Sequence, residues 1–271
     1  MSSSSSTWLG LVDKHSHEAT GFWGPPNSNH VFCEPHYAVS PFITEFYNAL
    51  SSMIFTAVAV YSLHREPKIR KDPFIFTIFL CLVIIGFGSF AFHATMRHEM
   101  QLADEIPMVC FMGCLSAAKL SKPKAHPWVP NQTVAICWSM FVATMCLIVI
   151  WTYVVLDEYD IFIYGFTVIV LFDLLISLPF ADKKIGTEVH TRCGYMSLFF
   201  IASGRIVWGA ENRFCNEYKW VYPLHILWHF LGCGSAYWSA LFTCAVRFDK
   251  DEVKTLDLLG LPRTYVVKKM D

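Results

Sequence analysis

The chain has 271 residues, 54% hydrophobic, 16% aromatic and only 16% charged, with a formal net charge of -1. So apolar a composition excludes an ordinary soluble domain of this size. A balance so close to neutral gives no footprint for nucleic acid or an acidic surface, so neither is expected as a partner.

The chain opens on MSSSSSTWLGLVDKHSHE, a polar stretch without the basic start and apolar core of a cleavable signal peptide. Residues 1–20 are expected to form a disordered tail and residues 21–39 a short segment ahead of the first apolar run. Seven runs then reach the roughly 20 residues needed to cross hydrocarbon, at about 40–62, 74–93, 101–119, 134–156, 160–181, 194–211 and 222–246. The loops between them alternate in charge. The first carries Arg65, Lys68, Arg70 and Lys71, the third Lys119, Lys122 and Lys124, and the fifth Lys183, Lys184 and Arg192. The second has only Arg97, the fourth no basic residue, and the sixth Arg213 and Lys219. The C-terminal tail is again basic, with Arg247, Lys250, Lys254, Arg263, Lys268 and Lys269. The positive-inside bias therefore predicts an all-α integral membrane protein, a seven-transmembrane helix bundle over residues 40–247. Its N-terminus is lumenal, and residues 248–271 form a cytosolic tail.

Most of the ten cysteines lie inside apolar runs and read as small hydrophobes. Cys33 and Cys215 both fall on the lumenal side, where an oxidising compartment permits a disulfide between them; the alternative is two free thiols.

Polar residues converge at one depth. His93 ends the second run about 20 residues, or about 30 Å, from its cytosolic start, and Ser89 precedes it by one turn on the same face. Asp104 lies in the first turns of the third run, and PLHILWHFLG places His225 and His229 one turn apart near the lumenal start of the seventh. Two imidazoles at that spacing and a third from another helix suit zinc with an open fourth position, and a nearby carboxylate can position a water or take its proton. The HxxxH spacing alone is a weak signal; the third histidine and the aspartate strengthen it, because ionisable groups in membrane helices usually mark function. His15, His17, His64, His126 and His190 fall in tails or loops and are expected to be solvated, and His98 to sit at the rim. Asp173 and Arg205 are expected to satisfy one another or backbone groups within the bundle.

The stretches GFWGPPNSNHVFCEPHYAVSPFITEFYNALSS, GSFAFHATMRHEMQLADEIPM, ENRFC and HILWHFLG, in that order, resemble the alkaline ceramidase family. These are seven-helix membrane hydrolases related to adiponectin-receptor-like proteins. The resemblance implies that His93, His225 and His229 bind zinc, that Asp104 positions and deprotonates the attacking water, and that Ser89 stabilises the oxyanion. It implies cleavage of the amide of ceramide, or of dihydro- or phytoceramide, to a sphingoid base and a free fatty acid. It also implies a calcium site in the N-terminal segment, for which Phe32, Glu34, His36 and Glu45 are the candidate ligands. Val31 and His36 stand where the family has an aspartate and an asparagine, a loss of oxygen donors that weakens such a site. If calcium is absent, Glu34 and Glu45 are expected to cap the first helix or pair with lumenal loops.

The terminal KKMD resembles a dilysine retrieval signal, which implies residence in the endoplasmic reticulum or Golgi. The glycosylation acceptor at Asn131 falls in a loop expected to face the cytosol and is expected to be unused. A lipid-sensing receptor or scaffold with a structural zinc is the alternative, but structural zinc normally has four protein ligands. A transporter ranks last, for want of broken helices.

Overall fold

The computed structural model describes residues 21–248 together with residues 253, 256, 258 and 259. The serine-rich tail with His15 and His17, and the KKMD terminus, lie outside the described residues. The chain is all-α: α1 Phe46–Arg65, α2 Pro67–Lys71, α3 Pro73–Thr95, α4 His98–Leu120, α5 Gln132–Leu156, α6 Tyr159–Ser177, α7 Glu188–Phe214 and α8 Pro223–Arg247.

Local chemistry sets the boundaries. Asp72 caps α3 by accepting from the backbone N–H of Phe74 and Ile75, with Pro73 in the first turn. Asn131 caps α5 through Val134 N–H. Met96 closes α3 in the left-handed conformation, φ 49°, and reverses the chain into α4 within two residues.

The long helices run alternately up and down, and side-chain bonds identify the two ends. At one end Arg247 pairs with Asp72 at 2.8 Å, Lys122 donates to the Arg247 carbonyl, and His126 bonds the Ile176 carbonyl at 2.7 Å. At the other, Asn29 bonds Gln101 and Asp157, and a disulfide joins Cys33 to Cys215. Between them α3 packs against α1 and α4, and α7 lies along α8. Leu82, Ile85, Phe111, Leu115, Ile169 and Leu241 belong to the central core.

Four helical stretches, Phe46–Arg65, Pro73–Thr95, Gln132–Leu156 and Tyr159–Ala181, are long and apolar enough to cross a membrane. The long helices outside that set, α4, α7 and α8, carry Asp104, Glu105, Arg205, Glu211, His225 and His229. The residues that build the site thus dilute the hydropathy of the helices that bear them. Large apolar side chains face outward from the bundle, including Leu147 at 66% exposure, Trp151 at 69% and Ile206 at 72%. A surface of that kind fits lipid rather than water.

Candidate active site

His93 lies in the last turn of α3, and α8 presents His225 and His229 on one face just after Pro223 starts it. All three are buried, and one nitrogen from each lies within 4.8 Å of the others. The opposite nitrogen of every ring is engaged. His93 Nδ1 stands 2.7 Å from Glu45 Oε2, His225 Nδ1 is 2.9 Å from Glu211 Oε2, and His229 Nδ1 is 2.7 Å from Ser51 Oγ. An ionised carboxylate can only accept, so Nδ1 of His93 and of His225 carries the proton. Ser51 Oγ also reaches the Asn48 carbonyl at 3.0 Å, and a hydroxyl that donates there accepts from His229 Nδ1. With Nδ1 engaged in each ring, Nε2 is the nitrogen left to face a metal. The donor set fits zinc: three convergent imidazole nitrogens, each braced from behind.

Ser89 and Asp104 meet beside these rings because α3 and α4 approach closely there. A Cβ on Gly88 would run into the Ala103 carbonyl, so only glycine permits the contact. Ser89 lies within hydrogen-bonding reach of the Asp104 carboxylate. Both line one cavity of about 260 Å³ together with the three histidines. Its walls are otherwise mainly apolar, with Phe55, Ile85, Met108, Phe111 and Met112 among them.

Residues 30–34 pack directly over the histidines. The Phe32 ring centroid is 4.0 Å from that of His225 and 4.8 Å from that of His93. Cys33 is disulfide-bonded to Cys215, and its N–H donates to Glu211 Oε1 at 3.3 Å. The same Glu211 braces His225, so one carboxylate couples this segment to the site. Glu34 uses both oxygens to accept from Tyr47 and Asn48 N–H in the first turn of α1. Glu45 holds His93 and the Asn48 amide, with His36 Nε2 3.4 Å from its other oxygen. Calcium takes six to eight oxygens, roughly. Phe32 can offer calcium only its main-chain carbonyl, and an imidazole with two carboxylates already committed to Tyr47, Asn48 and His93 is too poor in free oxygens to fit it.

Sequence reasoning gave Glu45 to a calcium site or to the cap of the first helix and not to His93, and it missed Ser51 and the role of Glu211. The signal for Glu211 was an acidic residue in a membrane helix four positions before Cys215. It also missed Glu105, buried beside Asp104, which accepts from Gln101 Nε2 at 3.1 Å and from the Tyr153 hydroxyl. Four expectations need correction. His126 and His190 are buried rather than solvated: the first bonds the Ile176 carbonyl, and the second completes a capping box with Thr187 at the start of α7. Lys119 is not a loop residue but is buried in α4, 2.7 Å from Asp173. Asp173 therefore pairs with Lys119 rather than with Arg205, whose guanidinium lies 4.5 Å from the centre of the Trp208 ring. His98 does sit at the rim, 3.2 Å from Asp157.

A family model described as Ceramidase matches residues 24–262. The chain is 28% identical to alkaline ceramidase 3 of Mus musculus, over 84% of this chain and 86% of that protein. It is 27% identical to an alkaline ceramidase of Arabidopsis thaliana, over 84% and 87%. It is 26% identical to alkaline ceramidase YPC1 of Saccharomyces cerevisiae, over 78% and 74%.

Proposed function

This chain belongs to the ceramidase family, and we propose that it is a zinc-dependent amidohydrolase that cleaves ceramide-type lipids within the membrane, releasing a sphingoid base and a fatty acid. The observation that carries this reading is the convergence of His93, His225 and His229, one ring nitrogen of each within 4.8 Å of the others, on a cavity that Ser89 and Asp104 also line. A zinc ion held by those nitrogens would supply Lewis acidity towards the amide carbonyl and lower the pKa of a water.

The residues divide the remaining work. Asp104 accepts a proton from the attacking water and returns it to the leaving nitrogen, so that the amine departs neutral. Ser89 donates its hydroxyl hydrogen to the carbonyl oxygen as negative charge grows there. Glu45, Glu211 and Ser51 hold the imidazoles in orientation. Phe32 covers the His225 and His93 rings on one side.

The topology that goes with this chemistry has seven spans, the N-terminal segment lumenal and the C-terminus cytosolic. Its support is that Arg65 at the end of α1, Lys68 and Arg70 in the short α2, and Lys122, Lys124 and Lys184 in the loops after α4 and α6 all lie on the Asp72–Arg247 side. The disulfide lies on the other side, as an oxidising lumen requires. Residence in the endoplasmic reticulum or Golgi suits that lumen.

The test is metal analysis of detergent-purified protein beside hydrolysis of ceramide, dihydroceramide and phytoceramide. One zinc per chain is expected, with turnover lost on chelation and restored by zinc. Full turnover by metal-free protein would sink the mechanism.

A further inference from the structure

The cavity is long, and it ends on charge. Its lining on α8 runs from His225 to Ser239 and on α6 from Tyr159 to Leu174, spans of roughly 21 and 22 Å at 1.5 Å per residue. The histidines, Ser89 and Asp104 form one end, and Asp173, Ser197, Ser235 and Ser239 the other. There Asp173 accepts from Ser116 at 2.9 Å and from Lys119 at 2.7 Å, while Lys119 also donates to Ser177 at 3.1 Å. Ser197 bonds the Ser239 hydroxyl at 2.7 Å and the Ser235 carbonyl at 3.3 Å. Lys119 is 1% exposed and Asp173 5%. A well-packed apolar replacement of such a buried pair is often as stable or more so, which leaves its presence to be explained by something other than stability.

Resting on the hydrolase reading above, we propose that Asp173, held in place by Lys119, is the floor of an acyl-chain subsite and sets the longest chain the site accepts. The middle of the cavity, walled by Phe55, Ile85, Met108, Phe111, Met112 and Phe166, suits a chain without heteroatoms, which is the acyl chain. The hydroxyls of the sphingoid base need polar partners, and Glu105 and Tyr159 line the cavity at the histidine end.

Lipid tails are as apolar as this wall, so moving a methylene from bilayer to cavity gains little and favours no particular length. Length is read where the cavity stops. Half the hydrocarbon thickness of a bilayer is about 15 Å, so a trough of roughly 20 Å takes a chain of ordinary leaflet length. A longer chain meets an ion pair whose hydrogen bonds are already made, and its carbonyl is held short of Ser89 and Asp104. A short chain leaves the far end without contacts.

The test is kcat/KM for ceramides carrying octanoyl, palmitoyl, stearoyl and lignoceroyl chains on one common base. In Lys119→Leu/Asp173→Leu, both charges go together and neither is stranded. The lignoceroyl-to-palmitoyl ratio should rise about tenfold or more, the scale on which a pocket reads a methylene. In Ser235→Phe, which fills the far end, the octanoyl-to-stearoyl ratio should rise by about as much. Ratios on one preparation do not depend on the fraction folded, and the second variant keeps both charges. An unchanged lignoceroyl-to-palmitoyl ratio in Lys119→Leu/Asp173→Leu, unchanged ratios in Ser235→Phe, or a shift that follows the length of the base instead, each overturn the proposal. Absence of hydrolysis of every ceramide by the zinc-loaded wild type overturns the hydrolase reading itself.

Discussion

Glu45 Oε2 stands 2.7 Å from Nδ1 of His93 and 3.0 Å from the Asn48 side-chain nitrogen, so the residue that enters α1 also fixes the imidazole that ends α3. The two are 48 positions apart, and their contact ties the first turn of one helix to the last turn of another.

Loss of that brace should appear first in metal affinity. Glu45→Gln and Glu211→Gln are each expected to weaken zinc binding about ten- to a hundredfold, as such supporting carboxylates do. Competition with a chelator of known affinity measures it. Unchanged affinity in both variants would contradict the assigned tautomers.

Ser89→Ala and Asp104→Asn should separate chemistry from metal binding. Removing the Ser89 hydroxyl is expected to lower kcat about a hundred- to a thousandfold. Asp104→Asn should cost about a hundred- to ten-thousandfold. Both proteins should still contain zinc, because neither side chain belongs to the histidine set. Zinc-free variants would show instead that these residues assemble the site.

The Cys33–Cys215 bond closes a separation of 182 residues and holds residues 30–34 over the histidines. Cys33→Ser/Cys215→Ser is expected to lose about 2–4 kcal/mol of stability. A reductant should lower the thermal midpoint of the wild type and leave the double variant unmoved.

His30 stacks on Tyr159 at 4.6 Å and meets the edge of Phe32 at 4.7 Å. Burial first, then His225 nearby, pushes its imidazole from the ordinary 6.5 down to about 3. The unfolded chain therefore binds a proton that the folded one refuses between those values. Stability from this group is complete above about pH 6.5 and falls as the pH drops towards 3, by at most about 1.4 kcal/mol per unit. His30→Phe keeps the stack and removes the titration. Its unfolding midpoint should decline less than that of the wild type between about pH 7 and pH 5. Parallel declines would remove His30 from the acid response.

Much of the site was legible in the chain. Apolar run lengths, alternating basic loops and the 3.6-residue repeat together place His93, Asp104, His225 and His229 at one depth, because depth along a membrane helix follows from counting. Rotation about the helix axis does not. A helix that is apolar nearly all round, as α3 is, carries little sign of which face turns inward, so no pattern reveals that Ser89 faces Asp104 or that Gly88 makes room for it. The braces come from α1, α7 and the turn before α1, and Glu45, Ser51 and Glu211 acquire meaning only beside a ring they touch. Lys119 shows the same limit from the other side: its charge reads as cytosolic loop, yet Asp173 on α6 compensates it inside the bundle. Composition alone gives the order and polarity of the helices and the level of their polar residues, with ends off by several residues as at α7, because these are local properties. Tertiary structure alone decided azimuth, tautomer and ion-pair partner, because each depends on an atom contributed by a distant part of the chain.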